Sequence, residues 1–208
     1  MKWITPLFLF AMTFFLFSGC SDDTDIHGLD TNDMIEARGA EVWVTVPFKV
    51  EYTGEYLFQG INPDACGASF VDPDADPEDL VPIVNVVVEG WGQGTHVGNS
   101  TIHFDFCGVP GPDGFQYGDP YPVDAYIVAA NGDMLYLTVS GLVIPGRTED
   151  HPEYVTSYWR DPFQILGGTG RFEDATGEGY TDDYNSNLDP YSHHDWDGTI
   201  TMKKGKPN

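Results

Sequence analysis

The sequence predicts an all-β domain, an antiparallel eight-stranded β-barrel with a β-sandwich as the runner-up. Three observations predict it. The 208-residue chain carries 24 Gly and 15 Pro, a supply of turn formers that favours many short strands over long helices. From residue 41 onward no stretch keeps a 3.6-residue apolar period for the ten or more residues a helix needs. Over the same span, short β-rich runs alternate with Gly-, Pro- and Asp-rich clusters. A hydrophobic content of 41% is too high for a disordered acidic chain and suffices to close one core.

The runs fall at residues 48–58, 83–92, 97–106, 123–130, 134–143, 155–165, 177–185 and 194–203. In the third, Ile102, Phe104 and Phe106 share one face and Thr101, His103 and Asp105 the other. Asn131-Gly132 is a two-residue hairpin signal joining Tyr126-Ile127-Val128 to Leu135-Tyr136-Leu137. Eight antiparallel strands joined mostly by short turns bury an edge-free core as an up-and-down barrel, an architecture that often holds one small ligand. Two longer connections, residues 59–82 and 108–122, interrupt the meander, and connections of that length are uncommon unless they work as lids, binding loops or disordered insertions. No internal repeat and no second domain boundary is evident, so residues 41–208 read as one barrel domain.

The N-terminus reads as a targeting segment. Met1 and Lys2 precede an apolar run over residues 3–17, short for a membrane span but suited to a signal-peptide core. The run ends at Phe17-Ser18-Gly19-Cys20, which resembles the lipobox of bacterial lipoproteins, with Phe17 in place of the commoner Leu. That resemblance implies a signal peptide over residues 1–19 and lipidation of Cys20. Residues 20–40 read as an acidic flexible tether. Ser21 resembles outer-membrane sorting signals, and Asp22-Asp23 resemble the acidic export signal of surface-exposed lipoproteins. The expected location is therefore the cell envelope, as an outer-membrane lipoprotein facing the periplasm or the cell surface.

Charge narrows the partners. With 33 acidic against 9 basic side chains the formal charge is −24, which repels phosphate backbones and anionic lipid surfaces, so nucleic acid is excluded and the membrane is reached through the lipid alone. In an oxidising compartment Cys66 and Cys107 are the pair left once Cys20 is acylated, and a bridge is expected rather than two separate buried thiols. The loop-length relation assigns such a bridge about 4 kcal/mol.

Residues 165–179, Ile-Leu-Gly-Gly-Thr-Gly-Arg-Phe-Glu-Asp-Ala-Thr-Gly-Glu-Gly, look like the GGTGxFxxAxG signature ahead of the penultimate strand of dirigent proteins and of bacterial allene-oxide-cyclase-like barrels, which are calycin-like eight-stranded folds. Gly92-Gln93-Gly94-Thr95-His96-Val97-Gly98, followed by Cys107, is similar to a segment of secreted bacterial members, with Gly94 replacing the usual Ala. The resemblance implies a calycin-like barrel able to hold a small apolar ligand, or to steer a reactive intermediate as an isomerase, cyclase or guide protein. Within the signature, Gly167, Gly168, Thr169, Gly170, Phe172, Ala175 and Gly177 read as structural: the glycines permit φ above zero in a tight crossover, and Phe172 can turn inward to plug one barrel end. Neither GxGxxG nor GxxxxGK is completed, so a phosphate-cradling loop is not indicated.

Candidate chemistry is sparse. Asp72, Asp74 and Asp76 alternate in an acidic stretch that could offer oxygen ligands to Ca²⁺, although Pro77 and Ile83 break an EF-hand; a solvated acidic loop is the plainer reading. No other cofactor is implied. His193 and His194 lie beside Asp195 and Asp197, but adjacent strand residues point to opposite faces, which argues for separately hydrogen-bonded imidazoles. Glu89, His103 and Asp105 form a polar cluster able to do acid–base work if it lines the lumen, whereas the apolar run opposite favours His103 facing out. His96 reads as a turn-fixing residue. No Ser-His-Asp spacing, GxSxG elbow or HExxH helix is present. Tyr117, Tyr121, Tyr154, Tyr158, Trp159, Tyr184, Tyr191 and Trp196 sit near predicted loops or strand ends, where aromatic platforms beside carboxylates can stack on sugars, although turn and rim packing is the commoner reason for such a placement.

Three readings follow: an envelope lipoprotein whose barrel binds a small apolar ligand in or at its mouth; a structural or adhesive lipoprotein recognising glycan or protein through Ca²⁺-stabilised acidic loops; and an allene-oxide-cyclase-like or dirigent-like enzyme or guide. The first is the expectation carried forward; the reading leans away from an enzyme but leaves one open, of isomerase or cyclase type, because proteins that steer intermediates by shape need no catalytic motif.

Overall fold

The computed structural model describes residues 41–118 and 123–204. The expected signal peptide, Cys20 and the tether lie outside the described residues, as does Tyr121. The strands in chain order are β1 (Trp43–Gly60), β2 (Val84–Gly94), β3 (Gly98–Gly111), β4 (Gly114–Tyr117), β5 (Val123–Val128), β6 (Met134–Val139), β7 (Gly141–Pro145), β8 (Val155–Trp159), β9 (Pro162–Gly168), β10 (Thr176–Thr181), β11 (Asp183–Ser186) and β12 (Ser192–Lys203). One short helix, α1 (Pro63–Cys66), follows β1, and a 3₁₀ turn spans Gly170–Phe172.

Twelve segments make eight barrel strands. β3 pairs first with β5 and then, toward its C-terminal end, with β4, so β4 and β5 are one strand interrupted after Tyr117. In the same way β6 and β7 line up, broken at Ser140; β8 and β9, broken at Arg160 and Asp161; and β10 and β11, broken at Asp182. All these pairings are antiparallel, and β1 closes on β12 from Trp43↔Lys203 to Gly54↔Ser192. Closure of the first strand on the last makes this a barrel and not the sandwich held as runner-up. Two expectations need correction. The third strand continues past Phe106 to Gly111 and turns back as β4, so the connection at 108–122 is partly a hairpin; the fifth, sixth and seventh strands are each broken near the middle.

The alternation in β3 sorts the faces as its sequence requires: Ile102 and Phe104 are buried inside, and Thr101 is exposed. Phe48, Ile127, Leu135, Leu137, Phe163 and Ile200 join Ile102 in filling one half of the lumen, each contributing roughly 1.5–3 kcal/mol of transfer free energy. Phe172, fully buried, packs among them from the 3₁₀ turn between β9 and β10. At that turn Gly167 and Gly170 have φ of +121° and +57°. A Cβ at Gly168 would run into the carbonyl oxygen of Met134. Asn131-Gly132 forms the β5–β6 turn, with Gly132 at φ +88° and the Ala129 amide donating to Asp133 O at 2.8 Å.

The other long connection lies against the outer face of β2 and β3. Asn62 caps α1, and Cys66 at the helix end is bridged to Cys107 on β3, with Cα atoms 5.8 Å apart. Asn62 Nδ2 donates to Asn85 Oδ1 at 3.1 Å, and Asn85 Nδ2 donates to Asp105 Oδ1 at 2.6 Å, which satisfies an otherwise costly buried amide.

Candidate functional site

Beyond Trp196 the lumen changes character. Trp196 stacks on Phe163 at 5.1 Å and closes the apolar half; on its other side stand His194, Ser192 and Asp183, all buried. The strand period explains their grouping: Ser192, His194 and Trp196 alternate along β12 and so share its inner face, and Asp183 enters from the neighbouring strand at the break between β10 and β11. His194 Nδ1 lies 3.0 Å from Asp183 Oδ2, and His194 Nε2 lies 2.9 Å from Ser192 Oγ. Asp183 also accepts from the Trp196 indole at 2.9 Å and from the Asp195 backbone amide at 3.2 Å. Three partners thus hold the carboxylate, while burial pushes its pKa up against the lowering effect of His194 and Trp196.

Space for this cluster comes from glycine. A Cβ at Gly54, the β1 partner of Ser192, would sit 2.6 Å from Ser192 Oγ and 3.0 Å from His194 Nε2. Around the cluster lies a narrow cavity of about 50 Å³, walled by Val88, Phe104, Phe106, Val123, Val139, Val143 and Trp159 together with Tyr56 and Tyr117. That volume holds water molecules rather than a drug-sized ligand.

Tyr56 donates to Asn185 Oδ1 at 2.8 Å, and Asn185 in turn donates to Ser157 at 2.9 Å. Tyr117 donates to Asp161 Oδ2 at 2.8 Å; burial, then Asp161 and Asp183, push its phenol well above the ordinary range. Asp161 is itself raised, chiefly by burial. It seals the β8–β9 break by accepting from the Leu142 amide at 3.2 Å while its own amide donates to Thr181 Oγ1 at 3.0 Å. Tyr52, deeper in, hydrogen-bonds Ser100 at 2.6 Å, and desolvation pushes its phenol up to about 12.

The residues singled out from sequence occupy other places. Glu89 and His103 do meet, Oε1 to Nδ1 at 2.6 Å, but on the outer face, where His103 stacks on Tyr126 at 4.9 Å. Asp105 sits on that face too and serves Asn85. The cluster is therefore not lumenal: with Ile102 and Phe104 inside, strand alternation leaves no other side for it. His193 and His194 point to opposite faces, His193 reaching Asp189 at 3.2 Å. His96, at φ +66°, meets the Pro47 carbonyl at 3.1 Å and fixes the β2–β3 turn. Asp72, Asp74 and Asp76 lie in a turn region where the Asp74 amide donates to Asp72 Oδ1 at 3.1 Å. Among the described residues no three His, Cys, Asp or Glu side chains come together as metal ligands.

The hydrogen-bonded Ser192–His194–Asp183 line was invisible as a spacing, because Asp183 precedes the other two on a different strand and only β11–β12 pairing assembles it. The available signal was Ser192-His193-His194 read at period two, with an Asp at the preceding strand break.

No family model and no curated protein matches the chain. Among solved structures, that of a pterocarpan synthase dirigent protein aligns with a TM-score of 0.42 and 14% identity, over 81% of this chain and 89% of that one.

Proposed function

We propose that the chain is an exported, lipid-anchored barrel lipoprotein that binds a small, largely apolar molecule in or at the mouth of the lumen, at the end occupied by Asp183 and His194. One observation carries the reading: apolar walls enclose a small convergent set of polar groups, Tyr56, Tyr117, Ser192, His194 and Asp183, the composition of a ligand site rather than of a packed core. Because the closed cavity is about 50 Å³, a ligand seats toward the mouth and displaces side chains there. Export and anchoring rest on residues 1–20 and agree with the Cys66–Cys107 bridge.

A second reading, a guide or isomerase acting on the bound molecule, is favoured by the Ser192–His194–Asp183 geometry. A buried imidazole held by a carboxylate on one nitrogen and facing a hydroxyl on the other is arranged to pass a proton.

Native mass spectrometry of the full chain, purified gently from its host, tests both. An organic mass released on denaturation supports the ligand reading and identifies the molecule on which turnover is then assayed. A bare mass that loses Ca²⁺ to a chelator moves the reading to the adhesive alternative, and a bare mass indifferent to chelator leaves a structural barrel.

A further inference from the structure

The outer wall of a barrel is ordinarily convex, yet this one carries an open groove of about 1030 Å³ across six strands. Across its middle runs β2. Gly90, Gly92 and Gly94 alternate along the inner face, and a Cβ at any of them would strike the opposing packing, Ile102 at Gly90, the Glu51 carbonyl at Gly92 and Val50 at Gly94. Glycine at these positions lets β2 lie close against its neighbours, with Trp91 and Gln93 on the outer face.

Ten of the sixteen residues that line the groove, which also include Tyr52, Ser100 and His194, fall in two rows of cross-strand partners. Register places Tyr184, His193, Thr53, Trp91, Thr101 and Val128 in one row, one residue from each of β11, β12, β1, β2, β3 and β5. The adjacent row on the same face is Asp195, Glu51, Gln93 and Asn99. At about 4.8 Å per strand the first row is roughly 24 Å long. Its aromatic members are held before any ligand arrives: Trp91, 48% exposed, meets Tyr191 edge-on at 5.4 Å, and Tyr184 stacks on His193 at 4.7 Å.

We propose that this groove binds a neutral oligosaccharide, independently of whatever the lumen holds. Aromatic faces set across the groove stack on the C–H faces of sugar rings, and a parallel row of carboxylates and amides accepts from and donates to ring hydroxyls. The length suits a chain of several sugars rather than a single residue. Charge selects among glycans: Glu51 and Asp195, on a chain of formal charge −24, repel uronic and sulfated sugars. Composition selects against a basic peptide, because Thr53, Gln93, Asn99 and Thr101 outnumber the two carboxylates and Trp91 sits at the centre.

The test is isothermal titration of the full chain in detergent with cellohexaose, mannohexaose, xylohexaose and chitohexaose, with hexagalacturonate and decalysine as charged controls. At least one neutral hexasaccharide is expected to bind and to change the tryptophan fluorescence. Trp91→Ala should weaken it at least 10-fold, Trp91→Phe should restore most of the loss, and Gln93→Ala with Asn99→Ala should weaken it several-fold. Circular dichroism checks the fold of each variant; the paired amide variant stands in if Trp91→Ala does not fold. Failure of every neutral hexasaccharide to bind, binding indifferent to both Trp91 and the amides, or binding of decalysine alone overturns the proposal.

Discussion

Asp183 and His194 meet inside the barrel at 3.0 Å, with side chains 1% and 6% exposed. Replacing Asp183 by Ala takes the carboxylate partner away from His194 Nδ1, the Trp196 indole and the Asp195 amide at a buried position. The expected loss is about 3–5 kcal/mol of unfolding free energy, read by denaturant titration. Asp183→Asn keeps one acceptor oxygen and should lose less; equal losses would show that the hydrogen bonds are not what holds this end together.

Acidity should stabilise this protein over part of the range. Asp161, Asp183 and Asp195 all have pKa values raised from 3.8, with burial the largest cause in each. A carboxyl raised on folding contributes most below its unfolded pKa, and that contribution is lost as pH rises through the folded value. Relief of repulsion in a chain of charge −24 acts in the same direction, while exposed Asp133, lowered by the Arg171 amide, acts weakly in the opposite one. Calorimetric Tm should therefore fall as pH rises above the ordinary carboxylate value of 3.8, and Asp161→Asn should flatten the slope. A Tm that climbs over that range contradicts the assignment.

The Cys66–Cys107 bridge closes a 41-residue separation and ties α1 to β3. Reduction, or Cys107→Ser, should cost up to about 4 kcal/mol. Thiol titration of the unfolded, unreduced chain should find neither of these two cysteines free.

Gly54→Ala places a methyl 2.6 Å from Ser192 Oγ and 2.7 Å from Val88 Cγ1. Overpacking of this kind costs about 1–3 kcal/mol. Here it should also perturb the His194 imidazole resonances in a nuclear magnetic resonance spectrum, which a purely local strain in β1 would leave in place.

Phe172→Ala empties a fully buried site at the apolar end. About 3–5 kcal/mol should be lost, and a small aromatic such as benzene should recover part of it by filling the cavity. A change of under 1 kcal/mol would mean that the neighbouring side chains collapse into the space.

Strand positions and the inward set of β3 were legible because period-two alternation and Asn131-Gly132 are local signals. The breaks at Ser140, Asp161 and Asp182 were not, since what makes them is a neighbour: Asp161 serves Leu142 and Thr181, residues 19 and 20 positions away. The lumenal site was hidden for the same reason. His194 looked like half of an adjacent pair with His193, and only pairing with β11 supplies Asp183. Glu89 and His103 attracted notice as a polar pair and are one; sequence could not say which side of the wall they occupy without closing the barrel first.

The broken strands divide the barrel into two stacked hoops that share four uninterrupted staves, β1, β2, β3 and β12, while each hoop completes itself with its own four short pieces. Insertions at the joints can therefore re-bore the upper hoop, around Asp183 and Tyr117, without shifting the register of the lower one around Phe48 and Phe172. Sequence change at the Asp183 end is thereby uncoupled from the packing of the Phe172 end.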